Sequence, residues 1–322
     1  MIKDRRIIIS VSIIAVLLLY LLLYNKDKKS GDIPKLKGWD SIDEILITNK
    51  NKQIKLYLKD NKWLINNEGY PADKTKVDKL EKILKDLEIT DVVSKGHYYE
   101  KYNLTNDAGI SVSAVKDGKA KRDLLIGKVS STYRTTYVKF ANDVKIYLAD
   151  GNLTDEFNKD IDDLRDKQIL QVTRDDIAWF ELMYQAKLTF EKKTEEVEVS
   201  QDNKKDKQKE KKKIDKWICK EFANTEIDKT KVESFLTSFS SIKADSYSDL
   251  KKKDMQGLLC SVKTKLFNKD IDIKIHKKDG DNYLCSSSES PYVFKLSDWN
   301  AKKYFKNIAD FKQDVKQDKN NK

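Results

Sequence analysis

The chain contains few of the residues that build metal sites, disulfide frameworks and phosphate-binding loops. Its 322 residues include only 3 Cys, 2 His, 10 Gly and 3 Pro. So few Cys and His residues predict neither a zinc site nor a disulfide-stapled scaffold. The low glycine and proline contents exclude collagen-like and proline-rich chains. Neither a glycine-rich phosphate loop nor a Gly-x-Ser-x-Gly motif occurs, so we expect no metal and no cofactor.

Arginine is also scarce, although the chain as a whole is basic. Lysine and arginine total 64 against 53 acidic residues, and only six of the 64 are arginine. Nucleic-acid-binding proteins concentrate arginine because its planar fork matches phosphate groups and guanine edges. Here lysine alternates with acidic residues along most of the chain, which is typical of a solvated surface. We therefore expect no nucleic-acid partner.

One long apolar run is present, and it lies at the N-terminus. Residues 7–24 carry no charge over eighteen positions, and Lys3, Arg5 and Arg6 precede them. A helix of that length spans about 27 Å, close to the roughly 30 Å hydrocarbon core of a bilayer. The run predicts an uncleaved transmembrane signal anchor. A cleaved signal peptide is the alternative, but no small-x-small cleavage site follows the run.

The short stub before the anchor (residues 1–6) favours a cytoplasmic N-terminus. Lysines also follow the anchor, at Lys26, Lys28 and Lys29, so the positive-inside rule adds little to this assignment. We expect a single-pass protein of the cell membrane, anchored by residues 7–24, with the bulk of the chain outside the cytoplasm.

An internal repeat organises the rest of the chain. The five residues Asp73–Val77 recur letter for letter as Asp228–Val232, at an offset of 155. In each copy Asp is a natural N-cap, and apolar residues follow at helical spacing. We expect a linker at 25–39, a first module at 40–170, a second module at 171–311, and a disordered tail at 312–322.

Strand patterns surround each helix of the repeat. The turns Lys59–Asn61, Asp117–Gly118 and Asp279–Gly280 indicate hairpins, with the last two expected to be counterparts. A single closing helix is expected in each copy, at 153–163 and at 299–311. The predicted fold class is α+β: an N-terminal transmembrane helix followed by two tandem duplicated modules, each an antiparallel sheet with a covering helix.

Two features of the second module leave alternatives open. The insertion at 191–213 is rich in lysine and acidic residues and nearly free of apolar ones, which fits either an extended hairpin tip or a disordered loop. Cys260 and Cys285 both lie in strand-like segments, so they either form a disulfide or remain, with Cys219, as three buried thiols.

Several short motifs, taken in their order along the chain, resemble those of a known family. They are Ile45–Ile47, Trp63–Ile65, Pro71–Asp73, Tyr102–Leu104, Leu125–Lys128, Tyr137–Lys139 and Leu164–Leu170. This arrangement resembles the bacterial domain-of-unknown-function 4340 family. The resemblance implies one N-terminal membrane helix and frequent association with ABC transporter components of the gliding-motility type. It implies no particular chemistry.

The candidate contact residues lie in two places. Tyr98, Tyr99 and Tyr102 form a cluster with His97 in the segment that follows the first helix, and tyrosine is favoured in binding surfaces. Arg165 and Asp166 end the first module. Because this chain so strongly prefers lysine, an arginine there suggests a need for bidentate geometry, either in an ion pair between the modules or in a contact with a partner.

These observations support three functional hypotheses. The first is a non-enzymatic, membrane-anchored binding or accessory protein outside the cytoplasm, whose partner is an ABC-type transporter or another envelope complex. The second is an envelope ligand-binding protein with a cleft between the two modules. The third is a hydrolase that uses His97 with nearby carboxylates.

Overall fold

The computed structural model describes residues 13–20, 33–200 and 209–314. The chain divides into two compact units, Met1–Arg165 and Asp166–Lys322. The division falls five residues before the boundary that the repeat suggests, because Gln168–Gln171 pairs with Ser241–Lys243 of the second unit.

The predicted anchor lies largely outside the described residues. Residues 13–20 are helical. Among the helices of the described ranges, none is both long enough and apolar enough to cross a membrane. The stub (1–6), the remainder of the predicted anchor (7–12 and 21–24) and residues 25–32 of the predicted linker are not among those that the structure describes.

One antiparallel sheet forms the framework of the first unit. Its described strands are β1 (Glu44–Asn49), β2 (Lys52–Lys59), β3 (Lys62–Ile65), β4 (Tyr70–Pro71), β5 (Ile89–Ser94), β6 (Ile110–Lys116), β7 (Lys119–Val129), β8 (Thr135–Phe140) and β9 (Ile146–Asp150). They lie in the order β4-β3-β2-β1-β6-β7-β8-β9-β5. The turns at Lys59–Asn61 and Asp117–Gly118 are confirmed, since Asp60, Asn61, Asp117 and Gly118 all have the positive φ that tight hairpin turns require.

Helix α1 (Lys74–Lys85) covers one face of this sheet. The predicted N-cap is confirmed, because the Asp73 carboxylate accepts hydrogen bonds from the backbone N–H groups of Thr75 (3.0 Å) and Lys76 (3.4 Å). Its apolar stripe is buried in the first core at Val77, Leu80 and Leu84. Burying side chains of this kind contributes roughly 1.5–3 kcal/mol each.

The first unit ends in two short helices rather than the single closing helix expected at 153–163. They are α2 (Leu153–Phe157) and α3 (Ile161–Leu164). The helix breaks because Asp160 starts a new one: its backbone N–H donates to the Asp163 carboxylate at 2.9 Å, which completes a capping box.

Part of the predicted linker packs onto the first unit. Ile33 and Leu36 contact its core, and Trp39 is buried within it. The Trp39 indole lies under the guanidinium of Arg122, 5.3 Å from it, and its Nε1–H donates to Glu81 at 3.3 Å. Residues 33–39 therefore belong structurally to the first unit.

The second unit contains two sheets in its described part. The two-stranded sheet pairs β10 (Gln168–Gln171) with β14 (Ser241–Lys243). The larger sheet has the order β13-β12-β11-β16-β17-β18-β19-β15. Its strands are β11 (Trp179–Met183), β12 (Lys187–Ser200), β13 (Lys209–Cys219), β15 (Ser246–Ser248), β16 (Leu258–Leu266), β17 (Lys269–Asp279), β18 (Asn282–Ser287) and β19 (Val293–Leu296).

The larger sheet of the second unit has the strand order of the first unit's sheet without the edge strand β4. The counterpart of the Asp117–Gly118 turn is therefore Phe267–Asn268, between β16 and β17, and not Asp279–Gly280. The expected match was wrong by one hairpin because the strand-like segment around Cys260, which is β16, was not included when the hairpins of the two modules were matched. Its alternation of inward Cys260, Val262 and Leu266 with exposed lysines is nevertheless typical of a strand.

Helix α4 (Lys229–Ser240) occupies the place in the second unit that α1 occupies in the first. Asp228 caps it as predicted, accepting from the N–H groups of Thr230 (2.8 Å) and Lys231 (3.3 Å). Its stripe is heavier, with Phe235 and Phe239 in the core. The single closing helix expected at 299–311 is again two pieces, α5 (Asp298–Lys302) and a 3-10 turn at Ile308–Phe311.

The charged insertion at 191–213 forms a hairpin in its described part. Strands β12 and β13 pair without interruption from Phe190 with Cys219 to Ser200 with Lys209. The extended-hairpin alternative is therefore the one seen, while its tip (201–208) lies outside the described residues. Residues 315–322 of the predicted disordered tail also lie outside them, whereas Lys312 bridges to Ile227.

All three cysteines are buried and free. Cys260 and Cys285 both pair with Ile275, one on each side of β17. Two strand spacings separate their backbones by about 9.5 Å, beyond the ~7 Å that a disulfide can bridge. Of the two alternatives, buried thiols are therefore correct. Burial raises the pKa of the Cys260 and Cys285 thiols to about 12 each.

Candidate functional site

The segment between β5 and β6 carries the predicted tyrosine cluster on an unusual backbone. Three successive residues, Gly96, His97 and Tyr98, have positive φ angles of 136°, 72° and 65°. Positive φ at a non-glycine residue costs free energy, on the order of 1–3 kcal/mol in strained cases, and persists only where surrounding contacts fix it. A short 3-10 turn at Tyr99–Tyr102 follows.

Contacts with the neighbouring strands hold this segment in place. The Tyr99 hydroxyl donates to the carbonyl oxygen of Val144 at 2.9 Å. The Tyr102 ring lies against Tyr137 of β8, with 4.6 Å between the ring centroids. Gly127 permits this approach, because a Cβ there would lie 2.2 Å from the Tyr102 carbonyl oxygen. Two of the three tyrosines therefore serve to fix the segment.

The third tyrosine is left facing solvent. Tyr98 is 74% exposed, and Val144, whose carbonyl oxygen accepts from Tyr99, is 61% exposed, while His97 is also exposed. Together with Tyr99 and Tyr102, these residues form what we call the tyrosine surface. An exposed aromatic side chain on a fixed backbone can bind a partner with little loss of conformational entropy.

The loop that carries Val144 is itself well supported. The Tyr147 hydroxyl donates to the Asp143 carboxylate at 2.5 Å, and the backbone N–H of Lys145 donates to the same group at 2.9 Å. These hydrogen bonds lower the pKa of Asp143 below its ordinary value, the Tyr147 contact being the largest cause. The hydrogen bonds to Asp143 therefore hold the loop at neutral pH, where the carboxylate is charged, and weaken only when acid protonates the carboxylate.

His97 has no hydrogen-bonded acidic or hydroxyl partner among the residues that the structure describes. Within the described ranges, no hydrogen bond joins its imidazole to a carboxylate or a hydroxyl, and no group of three or more Cys, His, Asp or Glu side chains is arranged to hold a metal ion. General acid–base catalysis by histidine depends on such a partner within hydrogen-bond reach. Its placement instead makes His97 a member of the tyrosine surface.

Arg165 lies elsewhere, at the end of α3, and it is 7% exposed. Its guanidinium stacks on the Tyr70 ring at 3.9 Å and pairs with Asp162 at 3.5 Å. Both contacts lie inside the first unit. These two contacts fasten the end of the first unit to the edge of its own sheet. The ion pair between the modules, one of the two roles expected for Arg165, stays a prediction.

Asp166 belongs to the second unit. Its carboxylate accepts from the backbone N–H of Gln168 at 2.9 Å, and its carbonyl oxygen accepts from the Tyr247 hydroxyl. The six predicted contact residues therefore do not form one site. His97, Tyr98, Tyr99 and Tyr102 share a segment, whereas Arg165 and Asp166 terminate and begin their respective units.

Among the grooves of the described residues, two lie at places where no sequence motif predicted a site. One lies beside α1, has a volume of about 310 Å³ and is lined by Lys76, Lys79, Leu80, Glu156, Lys159, Asp163 and Leu164. The other lies beside α4, has a volume of about 350 Å³ and is lined by Thr230, Lys231, Ser234, Phe235, Ser238, Lys303, Lys306, Asp310 and Phe311. The repeated Asp-Lys-Thr-Lys-Val sequence was the available signal, since its second lysine lines both grooves.

Comparison with known proteins gives one match. A family model described as "Domain of unknown function (DUF4340)" matches residues 63–259, a span that includes α1, the tyrosine surface and α4. Neither the curated proteins nor the solved structures contain a significant match.

Proposed function

The chain belongs to the DUF4340 family, and on that premise we propose that it is a non-enzymatic, membrane-anchored binding or accessory protein. The tyrosine surface would contact a protein partner outside the cytoplasm. The partner class that we propose is an ABC-type transporter subunit or another envelope complex, since the motif resemblance favours proteins of that kind.

The observation that carries the proposal is the exposed ring of Tyr98 on a backbone fixed from behind. Tyr99 is hydrogen-bonded to Val144, and Tyr102 packs on Tyr137, so Tyr98 is presented without a packing role of its own. Tyrosine is among the residues that contribute most to protein interfaces. The adjacent exposed Val144 adds apolar area to the same surface.

Membrane attachment is the second element of the proposal. It rests on the eighteen uncharged residues at 7–24 and on the basic residues before them. Residues 33–39 pack on the first unit, so only the short stretch from 25 to 32 would separate that unit from the anchor. We propose that the tyrosine surface therefore acts close to the membrane, where a transporter or envelope partner would be found.

Quantitative co-purification of the full chain from membranes tests the proposal. Tyr98→Ala should lower the recovery of the partner roughly tenfold, the effect of losing a central interface anchor. Tyr133→Ala is the matched control: Tyr133 is 78% exposed and also has a positive φ, but it precedes β8, whereas Val144 follows that strand. An equal loss in both variants, or no loss in either, would contradict the proposed role of the tyrosine surface.

A further inference from the structure

The two grooves beside α1 and α4 are structural counterparts. In the first unit the backbone N–H of Asp73 donates to the carbonyl oxygen of Leu164 at 2.8 Å, and in the second that of Asp228 donates to Phe311 at 2.8 Å. Residues of α1 therefore correspond to residues of α4 at an offset of 155. Residues of the segment that ends at Leu164 correspond to residues of the segment that ends at Phe311 at an offset of 147. These offsets match each side chain that lines one groove with a position in the other unit.

In the first unit an ion pair crosses the groove. The Lys79 ammonium on α1 lies 2.6 Å from the Glu156 carboxylate on α2. Lys76 donates to the backbone carbonyl oxygen of Asp163. The pair neutralises Lys79 and joins the two walls, so the first groove offers little to a ligand.

The second unit replaces both members of that pair. The offsets place Ser234 at the position of Lys79 and Lys303 at the position of Glu156. The Lys303 ammonium donates to the Asn300 side chain at 2.9 Å. In the part of the chain that the structure describes, no carboxylate lies within 4 Å of Lys303, although Lys231 is paired with Asp314 at 2.7 Å and Lys306 with Asp310 at 3.7 Å.

The Lys303 ammonium also lies 5.9 Å from the centre of the Trp299 ring. Among the described residues, the second groove thus combines hydroxyl groups with an ammonium that has no carboxylate partner. Thr230, Ser234 and Ser238 lie along one side of α4, opposite Lys303, and all four line the groove. The first backbone N–H groups of α4 are not part of this set, because the Asp228 carboxylate accepts from them. Phe235 and Phe311 form an aromatic floor.

We propose that this groove binds a small phosphate monoester. Lys303 would neutralise the phosphate, and Ser234 and Thr230 would donate hydrogen bonds to its oxygens, which is a common combination at phosphate sites. The organic part of the ligand would lie on the aromatic floor. A volume of about 350 Å³ lies in the size range of small-molecule sites. The groove is independent of the tyrosine surface.

Isothermal titration of the full chain with phenyl phosphate tests this proposal by its stoichiometry. The unmodified chain should bind one molecule. The double variant S234K/K303E installs the first unit's ion pair in the second groove and should bind none. The reciprocal variant K79S/E156K gives the first groove the serine and the lysine of the second, over Leu80 and Leu164 in place of the two phenylalanines, and should bind a second molecule with lower affinity.

A milder variant covers the case in which a double variant fails to fold. Lys303→Gln keeps most of the side chain's length and a hydrogen-bond donor but removes the charge, so it should weaken binding roughly tenfold while leaving the melting temperature without ligand unchanged. Absence of saturable binding in the unmodified chain would overturn the proposal. So would binding that persists at equal strength in S234K/K303E or Lys303→Gln, since it would reflect only the general excess of surface lysine.

Discussion

Arg122 is the residue that ties the segment leading from the predicted anchor to the first unit. Its side chain is 6% exposed and donates to the backbone carbonyl oxygens of Leu84 (3.1 Å), Lys37 (3.2 Å) and Lys85 (3.4 Å). Two of these carbonyls belong to the last turn of α1, where the helix dipole favours a positive charge. Burial lowers the pKa of the Arg122 guanidinium below its ordinary value.

Replacing this arginine should therefore destabilise the first unit. Arg122→Met keeps much of the side chain's length but leaves the carbonyl oxygens of Leu84, Lys85 and Lys37 without their donor. We expect the free energy of unfolding to fall by about 2–3 kcal/mol, measured by urea unfolding of the full chain. Arg134→Met is the control: Arg134 is exposed, and its loss should cost less than about 0.5 kcal/mol. Equal effects of the two substitutions would contradict the role given to Arg122.

At the same scale, the sequence identified the tyrosine cluster but not how it is presented. Three tyrosines in five residues, Tyr98–Tyr102, with two of them adjacent, indicate an aromatic segment. His97 and Tyr98 are left-handed, and the tyrosines that follow them, Tyr99 and Tyr102, contact Val144 and Tyr137 more than thirty residues away. Contacts between residues so far apart cannot be predicted from the local sequence. The structure was therefore needed to distinguish the supporting tyrosines from the exposed one.

At the scale of elements, the two helices that begin with Asp-Lys-Thr-Lys-Val are built alike but packed differently. Both are capped by aspartate, at Asp73 and Asp228. Helix α4 buries the larger stripe, since Phe235 and Phe239 replace Leu80 and Leu84. Phe235 also lies within an aromatic group, 5.4 Å from Phe180 between ring centroids.

The cap of α4 provides a test at this scale. Asp228→Ala removes the acceptor for the N–H groups of Thr230 and Lys231 and should lower the unfolding free energy by about 1 kcal/mol. Asp228→Asn should be nearly neutral, because asparagine caps as well as aspartate. All three cysteines lie buried in the second unit, so their reaction with a thiol reagent in urea reports on its unfolding.

A lack of effect of Asp228→Ala would contradict the role given to this cap. If Asp228→Ala leaves the urea midpoint of thiol labelling unchanged, the cap contributes nothing to the second unit. Asp249→Ala serves as the control, because Asp249 is exposed and has no hydrogen bond or ion pair from its side chain in the described part of the unit. It should leave labelling unaltered.

Most of the elements around these helices could be predicted from periodicity, and the exceptions have identifiable causes. The helix stripe, both caps and the first two tight turns follow from local spacing and turn chemistry. Strand β16, although strand-like around Cys260, was not included in the hairpin match, and that omission shifted the match by one hairpin. The closing helices were predicted too long because Asp160 and Asn307 restart the helix with caps of their own.

At the scale of the whole molecule, the large sheets of the two units have the same strand order, apart from β4. The side chains that the two units carry have diverged. The first carries the tyrosine surface and an ion pair across its groove. The second carries a long charged hairpin and, at the positions of that ion pair, Ser234 and Lys303. The repeat could be read from five identical residues, but the groove could not, because its walls are far apart in sequence.

The central claim is that the tyrosine surface binds an envelope partner, and site-directed photocrosslinking in native membranes tests it most directly. A photoreactive phenylalanine analogue would replace Tyr98 in one full-length chain and Tyr133 in another. The account predicts a discrete adduct with a transporter subunit or another envelope protein at position 98, and none at position 133. No adduct at position 98, or the same adducts at both positions, would contradict it.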